Sequence, residues 1–170
     1  MKKTNIALIG FMGAGKTGVA KLLGKRLKRD VISTDGMIEK IEGQTISDIF
    51  KTKGEAYFRA LEKKVVKEIS SKTGVIIDCG GGVVLDRENV VNLKAQGQLF
   101  YLFTSPQVIY QRVKHQTHRP LLQREDPLAT IKELIEMRQP LYEQADVIIN
   151  TDGHKLEDTC EEVLKSIGDD

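Results

Sequence analysis

Residues 10–17, Gly10-Phe11-Met12-Gly13-Ala14-Gly15-Lys16-Thr17, satisfy the pattern G-x-x-x-x-G-K-[ST] and constrain this chain more than any other feature. The flanks match the letters. An unbroken apolar run, Ile6-Ala7-Leu8-Ile9, precedes the segment, as a buried parallel strand reads. A helical pattern follows it, with Val19, Leu22, Leu23 and Leu27 apolar and Lys21, Lys25 and Arg26 polar. Strand, glycine-rich loop and helix form a phosphate cradle, in which backbone N–H groups and a helix N-terminus favour negative charge. Gly13, Ala14, Gly15, Lys16, Thr17 and Gly18 are the expected nucleoside-triphosphate-binding segment. In such a loop the lysine reaches the β/γ-phosphates and the hydroxyl of Thr17 ligates Mg²⁺.

At 170 residues the chain is expected to form one domain, 1–170, large enough to bury its own core. Its 26 basic and 24 acidic residues are well mixed, and the net charge of +2 points to no nucleic-acid partner. No apolar run approaches the roughly 18 residues needed to span a bilayer, and no secretory signal precedes the first strand. Cys79 and Cys160 fit neither a zinc spacing nor a disulfide framework. A cytoplasmic location, with no membrane partner, is the resulting expectation.

Four further apolar runs read as buried strands: Val31-Ile32, Val75-Ile76-Ile77, Leu99 to Phe103, and Val147-Ile148-Ile149. Helical spacing lies between them, clearest over Glu55 to Ser70, then around Ile131, Leu134 and Ile135, and again from Leu156 to Ile167. The alternation predicts an α/β fold, three layers α/β/α around a five-stranded parallel sheet. Ligands of such sheets sit beyond the carboxyl ends of the strands. That rule selects the loops starting at Gly10, Ser33, Asp78 and Thr104. Residues 115–127, polar and punctuated by proline, read as a loop.

Within those walls, Asp35 is a candidate base for an acceptor hydroxyl, the competing reading being a helix N-cap. Asp78 ends a strand and runs into Gly80-Gly81-Gly82, a turn stripped of side chains that lets a small molecule approach the backbone. It also resembles a carboxylate that holds Mg²⁺ through water. Cys79 reads as a small buried thiol. Spacing alone does not promote Arg59, Arg119 or Arg138 above surface residues, and His115, His118 and His154 read as surface groups.

Together these segments resemble the shikimate kinase family over nearly the whole chain. The resemblance rests on the phosphate loop, on Asp35 with Ile38-Glu39 behind it, on Gly54-Glu55-Ala56-Tyr57-Phe58-Arg59 continuing to Glu62, and on Gly80-Gly81-Gly82. Arg119-Pro120-Leu121-Leu122 and Arg138-Gln139-Pro140-Leu141-Tyr142 are similar to its lid and distal arginine motifs. The fold implied is that of the nucleoside-monophosphate-kinase-like P-loop proteins. The activity implied is transfer of the ATP γ-phosphoryl group to the 3-hydroxyl of shikimate, with Mg²⁺, in aromatic amino acid biosynthesis.

By that resemblance Asp35, Lys16 and Arg119 are catalytic, and Arg112 and Arg119 join the ATP site. Asp35, Arg59, Gly81, Gly82 and Arg138 bind shikimate, Arg59 and Arg138 clamping its carboxylate. The acceptor region spans about residues 35–62 and a lid about 113–127, and a monomer is expected. Because the transition state is loose, an unperturbed Asp35 is expected to suffice as base. One departure stands out. Many relatives carry Asp-x-Asp at the second strand end, where this chain has Ser33, and Ser or Thr where it has Asp78. The two changes are expected to compensate, Thr17 and Asp78 forming the metal shell. Rival readings are a gluconate or nucleoside-monophosphate kinase of the same architecture, a GTPase switch through the D-x-x-G match at Asp78-Cys79-Gly80-Gly81, and a structural ATP-binding module.

Overall fold

The structure, a computed structural model, describes residues 4–116 and 120–168. In chain order it contains β1 (Asn5–Ile9), α1 (Lys16–Leu27), β2 (Val31–Ser33), α2 (Thr34–Glu42), α3 (Ile46–Lys53) and α4 (Glu55–Ser70). There follow β3 (Ile76–Asp78), α5 (Arg87–Gln96), β4 (Gly97–Phe103), α6 (Pro106–Val113), α7 (Pro127–Tyr142), β5 (Val147–Asn150) and α8 (Leu156–Gly168). The strands form one sheet in the order β2-β3-β1-β4-β5, every pair parallel. This is the expected three-layer architecture, because each parallel crossover carries a helix onto one face or the other.

Two apolar layers hold the sheet. One packs Ala7, Ile9, Ile77 and Tyr101 against Ile38, Ile49, Phe58, Val66 and Leu93 from α2 to α5. The other packs Ile6, Leu8, Phe100 and Leu102 against Leu23, Ile109, Ile131 and Val163 from α1, α6, α7 and α8. Successive residues of β1 thus feed opposite layers, as the two-residue period of a strand requires. The central β1 and β3 are buried throughout, and β4 is buried except at Gln98 and Phe103. The outer two strands are more open: Val31 is 38% and Ile148 52% exposed. The expectation of buried strands there is corrected, because β2 and β5 are the sheet's edges.

Some local expectations also change. Between β2 and α2 there is no loop, since Ser33 ends the strand and caps the helix, its Oγ accepting the Gly36 N–H at 3.0 Å. Asp35 lies in the first turn of α2 instead of at its N-cap. The segment read as a loop before α7 contains a 3-10 turn, Pro120–Gln123, whose Leu121 and Leu122 pack against the second apolar layer. Cys79 is buried as expected, while His154 is half-buried with Nε2 3.5 Å from Glu162 Oε1. His118 lies outside the described residues.

Candidate active site

At the carboxyl end of the sheet a cleft of about 380 Å³ runs from Met12, Lys16 and Thr17 on one side to Asp35, Asp78 and Gly81 on the other. Its floor is the turn between β1 and α1. Gly15 takes φ 91°, a left-handed conformation that side chains resist, and starts α1 with no side chain capping it. The uncapped helix start directs its first N–H groups at the cleft. Lys16 is 8% exposed, and its Nζ donates to the carbonyls of Gly10 at 2.7 Å and Phe11 at 3.0 Å. The ammonium is therefore held at the mouth of the phosphate cradle.

Thr17 faces the neighbouring strand. Its hydroxyl donates to Asp78 Oδ2 at 2.7 Å, and Asp78 is paired with Ser33 in the parallel ladder of β2 and β3. Hydroxyl and carboxylate oxygens are hard donors suited to Mg²⁺, which takes few protein ligands and fills its shell with water and phosphate. Among the described residues no cluster of three His, Cys, Asp or Glu makes a protein-only cage.

The three glycines after β3 each face a different group. A Cβ on Gly80 would lie 2.6 Å from Asp35 Oδ1, and one on Gly82 2.5 Å from Arg59 Nη2. One on Gly81 would come to 3.5 Å from the Met12 nitrogen of the phosphate loop. A side chain at Gly80 or Gly82 would displace the carboxylate or the guanidinium, whereas one at Gly81 would only touch the loop. Thr34, fully buried, accepts the Gly80 N–H at 2.9 Å, and the Tyr142 hydroxyl donates to the Gly81 carbonyl at 2.5 Å. The turn is thus tethered from both sides.

Several charged side chains are buried together here, among them Lys16, Glu62 and Asp78. Burial pushes the Asp35 carboxyl above its ordinary range, opposed by Lys16 and reinforced by Asp78. The expectation of an unperturbed Asp35 is corrected accordingly. Glu62, 1% exposed, accepts from Arg59 Nη1 at 2.8 Å, and burial raises its carboxyl against the pull of that arginine. Arg59 Nε lies 3.5 Å from Glu55, so carboxylates at i−4 and i+3 hold the guanidinium from two sides. Arg138 stacks over the Phe11 ring at 5.7 Å. The Cys79 thiol, buried beside Asp78, is pushed far up and is inert.

On the opposite flank Arg112 donates from Nη1 to the Gly13 carbonyl at 3.2 Å and from Nη2 to that of Thr151 at 3.4 Å. Leu156 covers Gly15 and Gly18 there. The structure thus brings Gly13, Gly15, Lys16, Thr17, Gly18, Asp35, Asp78 and Gly81 to one cleft. Ala14 is instead buried in the second apolar layer and Gly82 faces Arg59, with Arg112 against Gly13 and Arg138 over Phe11. Arg119 lies outside the described residues. Sequence reasoning missed Thr34 and Tyr142 as tethers and gave Glu62 no role. Glu62 had a signal in its spacing of three from Arg59; Thr34 had none.

The family model described as shikimate kinase matches residues 12–168. The chain is 48% identical over 161 residues to the shikimate kinase of Thermodesulfovibrio yellowstonii, covering 95% of this chain and 93% of that one. It is 43% identical over 166 residues to a shikimate kinase of Dehalococcoides mccartyi, covering 97% and 94%. A solved shikimate kinase from Acinetobacter baumannii, in complex with shikimate, superposes with a TM-score of 0.91 at 36% identity over 96% of this chain and 92% of that one. A gluconokinase from Sinorhizobium meliloti shares the fold at a TM-score of 0.61 and 17% identity, covering 99% and 94%.

Proposed function

This chain belongs to the shikimate kinase family, and from that premise we propose that it transfers the γ-phosphoryl group of ATP to the 3-hydroxyl of shikimate. The products are shikimate 3-phosphate and ADP. One observation carries the assignment of roles: a raised carboxylate, Asp35, and a phosphate-loop lysine, Lys16, line one cleft that also reaches the glycine turn. A phosphoryl acceptor and a triphosphate can meet there in line.

In this reading the N-terminal N–H groups of α1, with Gly13 to Gly18, bind the phosphates, and Lys16 turns its ammonium from the loop carbonyls to the β/γ-oxygens. Arg112 and Leu156 flank the space for the base, and Arg119 in the lid of about 113–127 closes over the phosphates. Arg59 and Arg138 take the shikimate carboxylate, which leaves the ring hydroxyls toward Asp35. Arg59 is pre-set for this by Glu55 and Glu62, so less order is lost on binding. Asp35 orients the 3-hydroxyl and accepts its proton as the bond to phosphorus forms, helped by a carboxyl whose affinity for protons exceeds that of a free aspartate. Gly81 and Gly82 let the ring approach backbone.

Thr17 and Asp78 would hold Mg²⁺, which supplies charge neutralisation on the phosphates. Ser33 and Asp78 occupy one ladder position on adjacent strands, so a carboxylate on β3 reaches the region that a carboxylate on β2 serves in other members. The same proposal has a single domain acting as a monomer in the cytoplasm on small molecules, the acceptor region being 35–62. Among the described residues no helix is long and apolar enough to cross a membrane.

Acceptor-dependent ADP release from Mg-ATP tests the reading, with shikimate compared against gluconate, CMP and AMP. Stimulation by shikimate alone is expected. Stimulation by another acceptor would keep the phosphate loop and discard the carboxylate clamp, and GTP hydrolysis without acceptor would favour the switch reading.

A further inference from the structure

One of the two tethers of the glycine turn, Tyr142, has no part yet in binding the acceptor. Tyr142 is 0% exposed and lies one helical turn after Arg138, on the same face of α7. Its ring stacks on Tyr101, with centroids 4.9 Å apart and planes 14° from parallel. A ring fixed in this way has a fixed hydroxyl, because a phenol offers only two torsions to adjust. That hydroxyl donates to the Gly81 carbonyl at 2.5 Å. Arg138 and Arg59 both stand near enough to favour the ionised phenol, against burial, which disfavours it. The oxygen thus lies against the glycine turn, on the helix that carries Arg138. Pro140, between Arg138 and Tyr142, has no N–H to return to Glu136, so the last turn of α7 lacks that backbone bond and leans on side-chain contacts.

We propose that Tyr142 is a positioning residue for the acceptor: its hydroxyl locks the Gly81 carbonyl against the end of α7, and so sets the spacing between the glycine turn and Arg138. This rests on the reading above that Arg138 and the glycine turn face shikimate. Acting only on the acceptor half of the site, Tyr142 sharpens shikimate binding and leaves nucleotide binding alone. A tyrosine serving the core alone would affect stability without distinguishing the two substrates.

Steady-state kinetics of Tyr142→Phe, which keeps the stacked ring and removes one oxygen, make the test. The shikimate KM should rise about three- to tenfold, the loss of one buried hydrogen bond. The ATP KM and kcat should stay within about twofold. Equal rises in both KM values, or no rise in either, overturn the proposal. Arg138→Ala is measured beside it, alone and combined. An unchanged shikimate KM in Arg138→Ala removes the clamp reading itself; a raised one with Tyr142→Phe silent removes only the present inference. The double variant should show less than the product of the two effects, and full additivity counts against a shared function. The unaltered chain gives an independent reading if Tyr142→Phe does not fold. The ring ¹³C signal of Tyr142, assigned by elimination with Tyr57→Phe, Tyr101→Phe and Tyr110→Phe, should shift on adding shikimate and far less on adding Mg-ADP. The reverse response overturns the proposal.

Discussion

At Asp35 the proposed role as base and the stability of the fold pull in opposite directions. Burial holds its proton more tightly in the folded chain than in the unfolded one, with Lys16 offsetting part of that cost. A raised carboxyl contributes stability that is complete below the unfolded value and is lost as pH rises through the folded value. Asp35→Asn should therefore melt higher than the parent at pH 8, with the gap closing as the pH falls through the folded Asp35 pKa. The same variant should lose about a hundredfold or more in kcat, and the parent's acid limb should lie above the ordinary carboxylate value of about 4. Thermal melts across pH and a pH–rate profile check both; a variant keeping a tenth of the parent's kcat would remove Asp35 as base. Asp78 has a different proposed ligand, Mg²⁺. Since its Oδ2 already accepts from Thr17, Asp78→Ser should raise the Mg²⁺ concentration for half-maximal velocity about tenfold, as loss of outer-shell partners does. An unaltered requirement would place the metal elsewhere.

Glycine 82 and glycine 10 make the same point for whole segments. A methyl group at Gly82 meets the far end of a flexible side chain, Arg59 Nη2 at 2.5 Å, whereas one at Gly10 meets the Leu102 carbonyl of β4 at 2.8 Å. The first clash is relieved by moving a guanidinium, the second only by moving a strand. Gly82→Ala should thus keep the melting temperature and lose about ten- to a hundredfold in kcat/KM for shikimate, the effect of a displaced clamp. Gly10→Ala should yield little folded protein, and circular dichroism separates the two outcomes. These segments also show what a sequence can reveal. Helix α4 was legible because Phe58, Val65 and Ile69 recur on one buried face over sixteen residues. The shorter α3, α5 and α6 passed unnoticed, although Thr45 capping Asp48, Asp86 capping Glu88 and Pro106 at a first turn mark their starts. Eight to ten residues give too few repeats of an apolar period to stand out, so their caps were the better signal. Edge position was likewise hidden, since Val31-Ile32 has the composition of a core strand and only strand order exposes it. The phosphate loop and glycine turn were legible because their chemistry is local. Tethers such as Thr34 to Gly80 and Tyr142 to Gly81 join residues 46 and 61 positions apart, and no local pattern announces them.

Across the whole molecule, the proposed function sets the two substrates largely on opposite faces of the sheet. The helices assigned above to the nucleotide, α1, α6 and the start of α8, rest on one apolar layer and those assigned to the acceptor, α2, α3 and α4, on the other. Helix α7, which carries Arg138, sends Ile131 and Ile135 to the former layer and Tyr142 to the latter. The two halves meet at the sheet's carboxyl edge, where Gly80-Gly81-Gly82 passes beside the phosphate loop, and at α7, whose Arg138 lies over the Phe11 ring. Each ligand should then stabilise the fold through its own contacts. At a hundred times its dissociation constant a ligand adds about 2.7 kcal/mol, or about 5–11 °C for a chain of this size. Mg-ADP and shikimate should each raise the melting temperature by that order. Arg138→Ala should abolish the shift with shikimate and keep that with Mg-ADP, and Lys16→Met should do the reverse. Dye-based melts suit a chain without tryptophan. If either substitution removes both shifts, the two halves are one cooperative unit and the separation by layer has no functional meaning. If the crossed pattern appears, the sheet edge is where two independently built half-sites meet, and the glycine turn between them is the part that must stay free of side chains for phosphoryl transfer to cross it.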